Sequence, residues 1–342
     1  MFKDLIKVFI IAEAGVNHNG SLDLAKKLID KAALTDVDAI KFQSFTVKDL
    51  IIPSVDKALY QKMNSDPTES QTDMLEKLEI DREFHIELIN YCKEKNIIFL
   101  STPYDVKSLM LLVDLNVPML KIASTDTTNL LFLEAVAKTK LPVILSTGMS
   151  YLSEIEKAYH CLVNNGCPDI AILRCTSNYP TPIDESNLKS LTTLANSFPG
   201  ITIGFSDHTE GIGVSPYSVI LGARIVEKHF TLDKNMPGPD HKASLDPAEL
   251  ALWAQEIRKA ELMLGNGIIE PSKSEYSTKK SLQKCLVANK KITKGSLLDR
   301  ENIVAKRTGG LGIKADLVYD VIGKKAKCDL YANNIIYWRD ID

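Results

Sequence analysis

The chain of 342 residues has no run of about 18 apolar residues, so no membrane-spanning helix is expected. Its start, MFKDLIKVFIIAEAG, has neither the long apolar core nor the small-residue cleavage site of a secretory leader, and a cytoplasmic protein is the expectation. Six cysteines (Cys92, Cys161, Cys167, Cys175, Cys285 and Cys328) are scattered without a C-x-x-C pair, which argues against a disulfide framework and a structural zinc site. No P-loop or G-x-G-x-x-G follows an apolar run, so nucleotide binding has no support. Charge of one sign is lacking too. The 41 Lys+Arg and 44 Asp+Glu leave a net charge of -3, too weak a field to recruit nucleic acid or an anionic membrane.

What is present is a repeat of short apolar runs, rich in Val, Ile and Phe, each followed by a helix-like stretch. Eight runs stand out: VFIIAEAG (8–15), AIKFQ (39–43), IIFLSTP (97–103), MLKIAS (119–124), PVILSTG (142–148), IAILRCTS (170–177), ITIGFSDH (201–208) and ARIVEKHF (223–230). Strands covered on both faces read this way, and eight strand–helix units predict an α/β fold closed as a (β/α)8 TIM barrel over residues 1–264. The second connection is long, and its polar stretch KMNSDPTESQTDM (62–74) is expected to be a substrate-covering loop. Residues 265–281 (GNGIIEPSKSEYSTKKS) are rich in turn formers and charges and read as a linker. Residues 282–342 carry the β-like runs CLVAN, NIVAKR and NNIIYW and read as a small β-rich domain that needs a surface to dock on. From residue 281 onward the net charge is +5, against -8 for the first 280 residues. A basic cap over an acidic barrel mouth explains this split better than a nucleic-acid site, because aromatic residues are not interleaved with the basic ones.

Each run turns polar at its C-terminal end, where barrels of this class build their sites. His208 and His229 close the seventh and eighth runs, which neighbour each other in a barrel, so their rings could share a metal ion with open coordination positions. Asp207 and Glu227 flank them as candidate acceptors behind the imidazoles. Lys41 and Lys121 are embedded in apolar IKF and LKI, and must either point into the mouth or lose their solvation. With Thr102, Ser124, Ser146, Ser177 and Ser206 they supply donors suited to a phosphate and a carboxylate. Glu13 is the acid/base candidate, with Asp126 and Asp240 as further carboxylates. A single such lysine would instead suggest a Schiff-base pyruvate aldolase.

The motifs EAGVNHNGS (13–21), IKFQ (40–43), FLSTPYD (99–105), LKIAS (120–124), ILSTGM (144–149), CTSNYPTP (175–182), GFSDHT (204–209), EKHFTLD (227–233) and GPDHKAS (238–244) together resemble the sialic acid synthase family. The end of the chain, with KRTGGLGI (306–313), resembles the antifreeze-like (SAF, β-clip) domain of those synthases. The resemblance implies a transferase that condenses phosphoenolpyruvate with an N-acylated mannose-type sugar such as N-acetylmannosamine, giving a nine-carbon 2-keto sugar acid and phosphate. It implies that Lys41, Thr102, Lys121, Ser124, Ser146, Ser177 and Ser206 bind phosphoenolpyruvate. His208 and His229 would hold manganese or magnesium, and Glu13 and Glu227 would join the catalytic group. Asp126, Tyr179, Asp240 and, in a domain-swapped homodimer, Arg307 would contact the sugar. Departures from the family pattern at KIASTD (121–126), Ser177 and Thr308 bear on the sugar, so legionaminic or pseudaminic acid synthesis from a 2,4-diacetamido-2,4,6-trideoxy hexose is the alternative.

Overall fold

The computed structural model describes residues 1–52, 55–57 and 69–342, which divide into two units, Met1–Gly265 and Asn266–Asp342. In the first unit every apolar run forms a strand: β1 (Phe9–Gly15), β2 (Ala39–Ser44), β3 (Ile98–Pro103), β4 (Leu120–Ile122), β5 (Val143–Ser146), β6 (Ile170–Cys175), β7 (Thr202–Asp207) and β8 (Ile225–His229). They pair in parallel in the order β3-β2-β1-β8-β7-β6-β5-β4, and β3 lies against β4 to close the ring. The (β/α)8 barrel is therefore present.

A helix follows each strand: Leu22–Ala33, Arg82–Glu94, Val106–Asp114, Leu130–Lys138, Leu152–Asn164, Ser190–Ser197, Ser215–Ile220 and Pro247–Leu264. Side-chain caps start several of them, from Ser21, Asp81, Asp105, Asn129 and Asp246. Left-handed residues just past the helix ends, among them Asn96 (φ 55°), Asn116 (φ 58°) and Gly166 (φ 87°), turn the chain back toward the next strand. Of the stretch expected to cover the site, residues 62–68 lie outside the described residues; its described end begins a short helix, Gln71–Glu76.

Strand alternation separates two sets of side chains. Ile10, Ala12, Ala14, Ile40, Phe42, Ile172, Phe205 and Val226 face outward and join the helices in the main core. Phe9, Ile11, Ala39, Leu100, Met119, Ile144, Ala171, Leu173 and Ile225 fill the barrel interior. Further toward the C-terminal ends of the strands, the inward positions become polar.

In the second unit, β9 (Lys284–Ala288) pairs antiparallel with β10 (Ile303–Arg307), over a core that includes Leu286, Ile292, Leu298, Val321 and Ile336. The third β-like run, NNIIYW, forms no strand. It makes a single bridge, Ile335 to Val287, and Ile336 donates its backbone N–H to Leu286 O at 3.0 Å. The segment read as a linker carries a helix, Glu275–Leu282, none of whose residues is buried, so it left no apolar periodicity to read. Among the described residues no helix is long and apolar enough to cross a membrane.

Candidate active site

The strand register places Glu13 beside Lys41 on one side and His229 on the other, and Ser206 beside Glu227 and Cys175. Two residues along β2 from Lys41, Gln43 lies opposite Thr102. All of these but Gln43 are buried, and they form the polar layer above the apolar barrel interior.

Charges dominate this layer. Lys41 Nζ lies 2.7 Å from Glu13 Oε2, donates to Thr102 Oγ1 at 2.9 Å and sits 3.8 Å from Glu227 Oε2. Lys121 Nζ is 3.5 Å from Glu227 Oε1, which also accepts from Ser206 Oγ at 3.0 Å. Burial pushes Glu13 up to about 7, with Glu227 adding to the rise and Lys41 opposing it. Burial acts on Glu227 in the same sense, but Lys121 and Lys41 outweigh it and bring this carboxyl down to about 2. One carboxylate is thus a fixed anion and the other is poised to carry a proton. Burial also works against both ammonium groups. Lys41 nevertheless stays above its ordinary value because Glu13 and Glu227 face it, whereas Lys121 falls below.

A second group of donors lies over β4–β6. Ser124 Oγ accepts the Gly148 backbone N–H at 2.9 Å. A Cβ at Gly148 would stand 2.2 Å from Ser177 Oγ and 2.9 Å from Ser124 Oγ, so only glycine lets the backbone come this close to both hydroxyls. Ser146 Oγ is buried without a hydrogen-bond partner, an opening for a ligand oxygen.

The histidine rings lie 5.4 Å apart, centroid to centroid, and the Tyr179 ring sits 4.1 Å from that of His208 and 5.6 Å from that of His229. His208 Nδ1 donates to Thr176 O at 2.8 Å, which leaves Nε2 as the nitrogen with a lone pair to offer. His229 Nδ1 is buried without a hydrogen bond, 4.0 Å from Asp240 Oδ2. Burial, His208 and Lys41 hold His229 well below the imidazole range, so it is neutral and able to ligate, and burial raises Asp240 to about 6. Burial also lowers His208, but Cys175 beside it turns the net shift upward. This donor set fits a divalent ion. Among the described residues no three His, Cys, Asp or Glu side chains gather into a fuller cage, so the pair would leave positions open to substrate.

Cys175 is a member of this buried layer that was not among the expected site residues. Its Sγ lies 3.7 Å from His208 Nδ1; burial pushes the thiol up, but His208, Ser124 and Lys121 together bring it down to about 7. The signal was its parity with Leu173 on β6. Of the remaining expected residues, Asp207 is turned away from this layer: it points to the opposite barrel face, where it pairs with Lys228 at 3.2 Å, and takes no part behind the imidazoles. Asp126 ends the 3-10 turn Ser124–Asp126, and its carboxylate accepts from Asn129 Nδ2 at 3.0 Å and Thr125 Oγ1 at 3.4 Å. Arg307 ends β10 in the second unit, exposed.

Comparison with known proteins matches the NeuB family over residues 28–269 and the SAF domain over residues 283–342. The chain is 48% identical over 322 residues to an N,N'-diacetyllegionaminic acid synthase of Campylobacter jejuni, covering 94% of this chain and 96% of that one. It is 40% identical over 338 residues to a Legionella pneumophila protein of the same name, covering 98% and 94%. The crystal structure of an N-acetylneuraminic acid (sialic acid) synthetase from Leptospira borgpetersenii, in complex with citrate, is similar with a TM-score of 0.70 and 36% identity, over 79% of this chain and 89% of that one.

Proposed function

This chain belongs to the NeuB family, and from that premise we propose that it condenses phosphoenolpyruvate with a 2,4-diacetamido-2,4,6-trideoxy hexose, giving a legionaminic-type nine-carbon 2-keto sugar acid and phosphate. N-Acetylmannosamine, the first expectation from sequence, takes second place because relatives 48% and 40% identical are N,N'-diacetyllegionaminic acid synthases. The observation that carries the chemistry is the buried layer in which two lysines share two carboxylates of opposite character.

Phosphoenolpyruvate presents a phosphate and a carboxylate, and Lys41 and Lys121 would hold them with the hydroxyls of Thr102, Ser124, Ser146, Ser177 and Ser206. Glu13, raised to about 7, pairs with Lys41 and is the carboxyl poised to accept a proton, whereas Glu227 stays ionised and faces Lys121. Carbon 3 of phosphoenolpyruvate attacks the sugar aldehyde, water adds at carbon 2, and phosphate leaves from the tetrahedral centre. Glu13 is placed to take the proton of that water. A divalent ion, manganese or magnesium, would be held by His208 and His229 and supplies polarisation of the aldehyde. Tyr179 and Asp240 border the same histidines and would orient the sugar.

The deciding experiment is phosphate release from phosphoenolpyruvate with a panel of N-acetylmannosamine and its 4-acetamido and 6-deoxy relatives, with mass analysis of the products. Turnover of the diacetamido sugar at least about 10-fold above N-acetylmannosamine in kcat/KM is expected, a gap of about 1.4 kcal/mol. Preference for N-acetylmannosamine would reverse the choice of sugar. The lowered ammonium of Lys121 keeps one rival in play, a Schiff-base aldolase. Borohydride trapping of a pyruvate adduct on Lys121 would establish it in place of the synthase.

A further inference from the structure

Strand alternation on β6 sends Leu173 and Cys175 into the barrel and Arg174 to the opposite side, the side of Ile172 and the helices. There Arg174 Nε donates to Ser190 Oγ at 2.9 Å and Nη2 donates to Thr176 Oγ1 at 3.1 Å. Both partners are neutral. Burial draws the guanidinium below its ordinary value, with the Cys175 side chain acting against the shift and no carboxylate among its causes. A half-buried cation without a counter-charge is unfavourable unless an anion joins it. Five N–H donors in a fixed fork suit a planar or tetrahedral oxyanion, and two of them already hold the fork in place.

Arg174 opens into a cavity of about 550 Å3 between the helices Leu152–Asn164 and Ser190–Ser197. Among the described residues no aspartate or glutamate lines it. Leu152, Ile155 and Leu194 give it an apolar floor, and Asn178, Ser190 and Thr193 add polar groups. Cys175 and Ser177 line it as well, so it adjoins the phosphoenolpyruvate donors from the outer side of the strands. It fits an oxyanion that also carries apolar substituents or sits above an apolar surface.

We propose that this cavity is a second oxyanion site, held by Arg174 and separate from the Lys41 and Lys121 layer, which takes the reaction's products: inorganic phosphate or the carboxylate of a sugar acid. The assignment of its ligands rests on the synthase reading, whereas the site itself rests on the cavity and a guanidinium that no carboxylate pairs with among the described residues.

Equilibrium dialysis of the full chain with radiolabelled inorganic phosphate tests it. The wild type should bind two phosphates per chain, Arg174→Gln one, and Lys121→Gln the other one. Arg174→Lys keeps the charge and loses the fork, so it should retain both with the second at least about 5-fold weaker, and it carries the test if the glutamine variant does not fold. Unlabelled N-acetylneuraminate that displaces only the Arg174-dependent phosphate identifies a sugar acid as occupant. Failure of both N-acetylneuraminate and the enzyme's own sugar acid product to displace it identifies phosphate itself. Two phosphates bound equally well by wild type and both Arg174 variants overturn the proposal, as does a single wild-type phosphate that only Lys121→Gln removes. That last result would leave the synthase reading standing. Phosphate that depends on Arg174 but not on Lys121 would support the cavity and count against the synthase layer.

Discussion

Strands β7 and β8 each carry one acid that faces the helices or the barrel, and the two resulting buried ion pairs are built differently. On the helix side, Asp207 is closed on every side. It pairs with Lys228 at 3.2 Å and accepts from Thr209 N, Thr209 Oγ1, Val214 N, Ser215 N and Ser215 Oγ, all within 3.1 Å. Lys228 in turn donates to Thr209 O at 2.6 Å. On the barrel side, Glu227 holds Lys121 and Lys41 only at 3.5 and 3.8 Å, and its Oε2 has no hydrogen bond. The first pair ties the loop after β7 to the sheet. The second has spare capacity, which is what a ligand with its own charges requires, since a fully satisfied network would have to be broken to admit it.

The contrast breaks most visibly in stability. Asp207→Ala should cost about 4 kcal/mol in urea unfolding, because it strands a buried ammonium and releases five backbone or hydroxyl donors with it. Replacing both partners by apolar residues, Asp207→Leu with Lys228→Met, should restore much of that loss. Glu227→Gln should cost less in unfolding than Asp207→Ala, since its Ser206 bond survives and Glu13 still faces Lys41, yet it should lower kcat with phosphoenolpyruvate about 1000-fold. Equal unfolding costs for the two acids would erase the distinction.

The same contrast explains what was legible in the sequence. A lone polar residue in an apolar run, as in AEAG, IKF and LKI, marks an inward position, and all eight runs became strands within a residue or two of the expected ends. Asp207 and His208 are neighbours in sequence, but period 2 sends them to opposite faces, and grouping them by proximity alone assigned Asp207 to the wrong side. Cys175 went unremarked because a cysteine in an apolar run looks like core. Pairing distances were out of reach: nothing in the string tells that Asp207 is saturated and Glu227 is not. The acidic and basic halves of the chain were visible as charge, whereas the exposed helix in the expected linker had no pattern to show.

A smaller effect tests the hydroxyl cradle on the open side. In Gly148→Ala the new methyl meets Ser177 Oγ at 2.2 Å and Ser124 Oγ at 2.9 Å. The hydroxyls must turn away, and the expected outcome is a KM for phosphoenolpyruvate raised about 20-fold, with the unfolding midpoint nearly unchanged. Unchanged KM would remove Ser124 and Ser177 from the phosphoenolpyruvate site.

The smallest expected change lies outside the barrel. Arg307 is exposed at the end of β10, in a unit with a net positive charge, and no carboxylate pairs with it among the described residues. If a second copy of the chain delivers it to the sugar, Arg307→Ala removes one directional donor from a solvent-accessible rim, which is worth about 1.4 kcal/mol, or about 10-fold in KM for the sugar. KM for phosphoenolpyruvate should not move, because the donors proposed for it all belong to the barrel. Mixing Arg307→Ala with the inactive Glu227→Gln chain sharpens the point: exchanged subunits would build one site in which both defects coincide and one in which neither does. Sugar affinity should therefore recover toward wild type in the one working site of every mixed dimer, whereas a contact within a single chain would leave every active site with the Arg307 defect.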